Sequence, residues 1–143
     1  MLKPFLSLLA VLLVGSVSLY GQCDGNSKDA RCIEQIRQNN TFVKSYKLNY
    51  KLEQDKEFSS VLAKDTQYYL NLCEGGELSN NVVINVYNTK RKLIASNQHK
   101  NEVMKELSFA CDKTGVYYFE FKANNPSGEC GIGALSFRRM SSK

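Results

Sequence analysis

From residue 42 onward the apolar positions recur every second residue. Phe42, Tyr46, Leu48, Tyr50 and Leu52 alternate with Ser45, Lys47, Asn49, Lys51 and Glu53. This is the period of a strand with one face on a core and the other in water. Gln54-Asp55-Lys56 reads as a turn, and residues 57–64 as a shorter strand through Phe58, Val61 and Leu62. Residues 66–73 alternate again, with Tyr68, Leu70 and Leu72 in phase, until Glu74-Gly75-Gly76 breaks the pattern. Val82, Ile84 and Val86 mark the next strand, and Asn88-Thr89-Lys90 turns it into Leu93-Ile94-Ala95. Residues 96–101 read as a polar loop. Leu107, Phe109 and Cys111 are in phase in the strand that follows, and Asp112-Lys113-Thr114-Gly115 is a tight turn in which Gly115 is free to take a positive φ. Tyr117, Phe119 and Phe121 then alternate with Tyr118, Glu120 and Lys122. Residues 130–137 form a last strand, rich in glycine and apolar on both faces.

Seven or eight short strands spaced about ten residues apart, with no crossover-length helical segment between them, predict an antiparallel β-sandwich or barrel. A different period precedes them. Residues 27–38 predict a short helix, with Asp29 near its start and Cys32, Ile33 and Ile36 on one face. So short a helix is marginal alone and is expected to dock on the β domain.

The chain begins Met1-Leu2-Lys3, one positive charge followed by an apolar run from Pro4 to Gly15, too short to span a bilayer, which takes about 20 residues. It reads as a signal peptide over residues 1–21, cleaved after Gly21. The rival reading is a lipid on Cys23, although Gln22 is larger than a lipoprotein signal prefers. The expected organisation is a signal peptide (1–21), an N-terminal helical segment (22–41) and a β-sandwich domain (42–143), secreted, periplasmic or at the cell surface. No second long apolar run follows, so no transmembrane segment is expected in the mature chain.

Charge changes this picture little. The net charge is +5, and losing Lys3 with the signal leaves +4. The cations are scattered, at Lys44, Lys47 and Lys51, Lys90-Arg91-Lys92, and Arg138-Arg139. They read as a solvated surface, and no nucleic-acid partner is expected.

The cysteines matter more. Cys23, Cys32, Cys73, Cys111 and Cys130 all lie beyond the signal, and bridges are expected outside the cytoplasm. Five cannot all pair, so one is free, intermolecular or modified. Cys23 and Cys32 could close a short loop, leaving a second bridge between two of Cys73, Cys111 and Cys130. A lipid on Cys23 would instead leave an even number. No CxxC pair exists and His99 is the only histidine, so no metal site and no cofactor are expected.

Catalytic arrangements find few candidates. A Ser–His–acid or Cys–His centre needs His99, which sits in the polar run Asn97-Gln98-His99-Lys100-Asn101. Glu74, Glu77 and Glu120 read as surface carboxylates rather than a glycosidase pair. Asp55, Asp65, Glu74 and Asp112 could offer oxygen to calcium from the ends of a sandwich, but no acidic repeat organises them. The chain is expected not to be an enzyme. Tyr69, Tyr87 and Tyr118 fall out of phase with the core residues of their strands, so they are the candidate ligand-binding residues, able to stack and still offer a hydroxyl. The competing expectation is that another part of the molecule covers that second face.

The stretch from Tyr68-Tyr69-Leu70-Asn71-Leu72, through Val83-Ile84-Asn85-Val86-Tyr87 and Lys92-Leu93-Ile94-Ala95-Ser96, to Leu107-Ser108-Phe109 and Thr114-Gly115-Val116-Tyr117-Tyr118-Phe119 resembles known domains. It is similar to the jelly-roll pre-peptidase C-terminal (PPC) domains of bacteria and to the GOLD domains of secretory-pathway proteins. Tyr87-Asn88 and Thr114-Gly115-Val116-Tyr117 fill the places of their structural motifs. The chain departs from the GOLD pattern at Phe119 and Phe121, where a cysteine often stands. The resemblance implies a binding, targeting or accessory role and no shared chemistry. The sequence reading is therefore a non-catalytic exported module that binds a protein, glycan or envelope component. The alternative is a structural protein assembling through an edge strand or a free cysteine.

Overall fold

A computed structural model describes residues 23, 27–123, 128 and 130–139. The signal peptide read over residues 1–21 and its cleavage point lie outside them. The helix α1 (Ser27–Asn39) is followed by β1 (Thr41–Asn49), β2 (Asp55–Leu62), β3 (Thr66–Glu74), β4 (Glu77–Ser79), β5 (Val83–Tyr87) and β6 (Leu93–Ser96). A small hairpin of β7 (Gln98–His99) and β8 (Glu102–Val103) leads to β9 (Glu106–Cys111), β10 (Gly115–Lys122) and β11 (Cys130–Arg139). Among the described residues, no helix is long and apolar enough to cross a membrane.

The strands form two antiparallel sheets packed as a sandwich. The first runs β1-β11-β3, with β9 and β4 sharing the far edge of β3; the second runs β2-β10-β5-β6. Early strands pair with late ones: β1 with β11, β2 with β10, β3 with β9, and β5 with β6. A chain folded back on itself in this nested way and wrapped into two sheets has the strand order of a jelly roll.

Alternation places the core as expected. Tyr46, Leu48, Tyr68, Leu70 and Leu72 of the first sheet meet Leu62, Ile84, Val86, Tyr117, Phe119 and Phe121 of the second. Aromatic rings bridge the layers: Tyr46 lies 4.6 Å from Phe58 and 5.9 Å from Phe119, centroid to centroid. Such tilted and edge-on pairs add to the stabilisation from burial alone. The large rings fit because β11 has no side chain beneath two of them. A Cβ on Gly131 would run into the Tyr50 hydroxyl, and one on Gly133 would lie 2.5 Å from the tip of the Phe121 ring.

Several local expectations are corrected. A bulge in β1 between Phe42 and Lys44 reverses the phase, so Phe42 joins the outer face of the first sheet and not the Tyr46 side. Leu52 lies beyond β1 and is exposed. In β2 the inward residues are Phe58 and Leu62, while Val61 points to solvent. Gly115 has no positive φ; its need is space, because a Cβ there would meet the Thr89 methyl at 2.6 Å. The loop expected at 96–101 folds as the β7–β8 hairpin and has a buried anchor. The side chain of Asn97 accepts from the Ile84 amide at 2.6 Å and donates to the Val82 and Met104 carbonyls at 3.0 Å each.

The cysteines do not pair as a short N-terminal loop. Cys23 is bridged to Cys130 and Cys32 to Cys73, with Cα atoms 5.4 and 6.0 Å apart. Cys111 is the free one and is buried. The Cys32–Cys73 bridge fastens α1 to the outer face of the first sheet, where Cys32 and Ile36 pack with Ile132, Ala134, Phe42 and Leu78. The predicted helix face is thus the docking face, with Ile33 half-buried at its margin. The helix therefore covers the middle of the first sheet's outer face, while Lys47 of β1 and Glu106, Ser108 and Ala110 of β9 stay exposed on it.

Candidate functional site

The three out-of-phase tyrosines do not share a surface. Tyr69 is on the outer face of the first sheet, near the end of α1, where the Arg138 guanidinium stacks 4.7 Å from its ring centre. That arginine also donates from Nε to the Asn39 carbonyl and the Asn40 side chain. Tyr87 and Tyr118 are brought together on the outer face of the second sheet as register partners across β5 and β10. Both are half-buried.

The surroundings of this pair are built by non-local contacts. The Tyr87 hydroxyl donates to Glu120 Oε2 at 2.8 Å, and the Asn85 amide donates to the same oxygen at 3.2 Å. Lys122 Nζ stands 3.5 Å from the other carboxylate oxygen. Burial by itself would raise the Glu120 carboxyl, but the Tyr87 and Asn85 hydrogen bonds and the Lys122 charge outweigh it and hold the group below its ordinary value. The carboxylate in turn raises the Tyr87 hydroxyl, chiefly through their hydrogen bond.

Arg91 completes the face. It sits in the β5–β6 turn with φ of 63°, in a loop tied by the Asn88 side chain, which accepts from the Lys90 and Lys92 amides. From there its guanidinium lies 3.7 Å from the Tyr118 ring centre and donates to both oxygens of Glu57 at 2.8 and 3.0 Å. A cation over an aromatic face, held by a two-pronged carboxylate contact, is a pre-organised arrangement. Around it Val61, Leu93 and Val116 are 70%, 50% and 40% exposed. Val61 and Val116 are register partners, as are Tyr87 and Leu93. The result is an aromatic and aliphatic strip, crossed by two ion pairs.

The other candidates have different settings. His99 is exposed in the β7 strand of the small hairpin. Glu74 accepts from the Tyr50 hydroxyl at 2.8 Å, from Ser79 at 3.1 Å and from Asn81 at 2.9 Å, so it braces the β3–β5 region. Desolvation, with the Glu74 contact behind it, pushes the Tyr50 hydroxyl up. Glu77 is exposed at the start of β4. Asp65 and Asp112 lie at one end of the sandwich and Asp55 and Glu74 at the other, and among the described residues no group of three His, Cys, Asp or Glu side chains is placed to hold a metal.

No protein-family model matches the chain, and comparison with curated proteins finds no match. The two-sheet sandwich expected from the resemblance is present, without a family to attach it to.

Phase in the sequence put Tyr69, Tyr87 and Tyr118 on outward faces and Glu120 among the surface carboxylates; the structure brings Tyr87, Tyr118 and Glu120 together and leaves Tyr69 on the other sheet. Sequence reasoning did not identify Arg91, Asn85 or Glu57 as their companions. The Asn88-led turn was visible, but which ring its arginine would reach depends on how β10 is paired.

Proposed function

We propose that the chain is a non-catalytic, extracytoplasmic binding module whose contact surface is the outer face of the β2-β10-β5-β6 sheet. The observation that carries this reading is the asymmetry of the sandwich. One outer face is partly covered by α1, which a disulfide fastens there, whereas the other leaves the Tyr87–Tyr118 pair, Arg91 and the aliphatic residues Val61, Val116 and Leu93 uncovered among the described residues. Tyrosine and arginine dominate the energetics of protein interfaces, and an exposed strip of this composition suits a protein surface. Because Arg91 occupies one face of the Tyr118 ring, the partner reads the arginine–tyrosine stack as a unit. Two disulfides fit an oxidising compartment, in line with a signal peptide over residues 1–21. The likeness to PPC and GOLD domains supports an accessory role. Within it, the Thr114-Gly115-Val116-Tyr117 motif serves structure: Thr114 caps the Lys64 amide and the Tyr117 hydroxyl donates to the Lys113 carbonyl.

Assembly through an edge strand is the second reading, favoured by the exposed Leu93 and Ile94 on the terminal strand β6. The buried Cys111 does not serve that purpose as it stands.

The test is a photo-crosslinking amino acid placed at Val61 and, separately, at Gln38 on the α1 side, in the producing cells. A discrete heterologous adduct from Val61, absent from Gln38 and lost on adding Tyr118→Ala, is expected. No adduct at Val61, or one indifferent to Tyr118→Ala, refutes the reading. An adduct of twice the chain mass favours self-assembly instead.

A further inference from the structure

Two turns cross between the sheets at one end of the sandwich. The turn from β2 to β3 holds Lys64 and Asp65, and the turn from β9 to β10 holds Asp112 and Lys113. They are clasped together: the Asp65 amide donates to the Cys111 carbonyl at 2.9 Å, and the Lys64 amide to Thr114 Oγ1 at 2.9 Å. In each turn the aspartate adjoins the strand of the first sheet, and the lysine lies one residue nearer the second. The charges are therefore sorted by sheet. On the first-sheet side Thr66 pairs with both Cys111 and Arg139, so the two aspartates stand beside the end of β11 and match Arg138 and Arg139 in number.

The second-sheet side has no such balance. Its β5–β6 turn adds Lys90 and Lys92, on a loop pinned by the Asn88 side chain and seated with Thr89 close to Gly115. The strands run in the order β2-β10-β5-β6, so Lys64, Lys113 and the Lys90–Lys92 turn form a row across the four strand ends. All four lysines are exposed, and among the described residues none is in an ion pair. Arg91, between two of them, is already engaged by Glu57. Neighbouring strands lie about 4.8 Å apart. That is inside the screening length of about 8 Å at physiological salt, so the fields of the row add.

The row borders the tyrosine strip. Val61 and Val116 are register partners at this end of β2 and β10, and Leu93 opens β6 directly after Lys92. A partner seated on the strip meets the lysines at its edge. Charge complementarity also limits what the partner is. The strip itself holds the carboxylates of Glu57 and Glu120, which oppose any uniformly anionic surface, such as lipid headgroups, laid across strip and row together. What fits is a surface that is apolar and polar over the strip and negative only along the row, a patchwork that a folded protein supplies. We infer that the partner of the strip is a protein whose contact surface is acidic along one edge, with Asp and Glu side chains facing Lys64, Lys113, Lys90 and Lys92; this rests on the strip being a protein-contact surface. Charges at the edge of an interface act mainly on the rate of association and its salt dependence.

The test uses the full mature chain with the photo-crosslinking residue at Val61, in the producing cells. Lys64→Glu/Lys113→Glu and Lys90→Glu/Lys92→Glu reverse the row in two separate turns. Lys100→Glu/Lys105→Glu makes an equal change in net charge at the other end of the sandwich, where Asn97 ties Val82 to Met104. Circular dichroism checks that all three fold. The Val61 adduct should fall by about tenfold in each row variant and stay unchanged in the control. With the partner identified from that adduct, association of the purified protein should slow as NaCl rises from about 0.01 to 0.15 M, which shortens the screening length from about 30 to 8 Å. A Tyr118-dependent adduct that survives both row variants, or falls equally in the control, overturns the acidic partner and leaves the strip as a contact surface. Absence of any Val61 adduct refutes the strip itself, and the assignment of the row with it. Co-sedimentation with phosphatidylglycerol vesicles that both row variants abolish, without a protein adduct, gives the row to a lipid surface and also overturns the inference.

Discussion

Gly133 tests whether the close approach of an aromatic ring to the β11 backbone organises the sandwich. Phe121 crosses from the second sheet and lies against Gly133, with ring carbons 2.5, 2.7 and 3.3 Å from where a Cβ would stand. Ordinary contact would require the ring to retreat by about 1 Å. It has little room, being 1% exposed and packed 5.9 Å from Phe58 and 6.4 Å from Tyr46. Overpacking of this kind costs about 1–3 kcal/mol, and an obstruction by a rigid buried ring belongs in the upper half of that range. Replacing glycine by alanine returns about 0.5–1 kcal/mol by restricting the unfolded chain. Gly133→Ala should therefore lose about 2 kcal/mol, lowering the urea midpoint by about 1 M. Phe121→Leu alone should lose about 1.5 kcal/mol for the smaller side chain. The double variant should be no less stable than Phe121→Leu, because the clash has gone. Urea unfolding followed by circular dichroism, with the disulfides intact, measures all three. A wild-type midpoint for Gly133→Ala, or losses that simply add in the double variant, would refute the close-approach argument.

Non-reducing peptide mapping should recover Cys23–Cys130 and Cys32–Cys73 and leave Cys111 unreactive to thiol reagents until the protein unfolds; Cys32→Ala/Cys73→Ala opens a link across 41 residues and should cost about 4 kcal/mol, with amide exchange in α1 accelerating most. The lowered Glu120 carboxyl binds its proton less readily in the folded than in the unfolded chain. Its contribution to stability is complete above its ordinary value of 4.5 and disappears as pH falls through the lower folded value. Tyr87→Phe removes the first of the hydrogen bonds that depress it, so the acid limb of a stability–pH curve should flatten, and an unchanged limb would show that the pair carries no linkage.

The covered face of the first sheet and the bare face of the second give the molecule two different surfaces. The helix side is partly covered by α1, with a small open cavity beside its C-terminal half. The strand side carries an arginine–tyrosine stack braced by Glu57 and a tyrosine hydroxyl braced by Glu120. Among the described residues, no group of three His, Cys, Asp or Glu side chains is placed to hold a metal on either surface.

The sequence by itself determined the local geometry. Strict alternation identified Tyr68, Leu70, Leu72, Ile84, Val86, Tyr117, Phe119 and Phe121 as core, because in an extended chain neighbouring side chains must take opposite faces. The change to a helical period placed Cys32 and Ile36 on the docking face of α1 for the same kind of reason. Where one residue breaks the count, as at the β1 bulge, the reading failed for Phe42, since nothing local marks which residue is left out of the ladder. The tertiary structure alone decided the rest. Cysteine partners depend on which strand ends and helix turns come within bridging distance, and Cys23 reaches Cys130 from the far end of the chain. Tyr69 and the Tyr87–Tyr118 pair have the same phase signature, yet they lie on opposite sides of the sandwich. A strand's own sequence says that a residue faces outward, but only the pairing of β3 with β11 and of β5 with β10 says which outside that is.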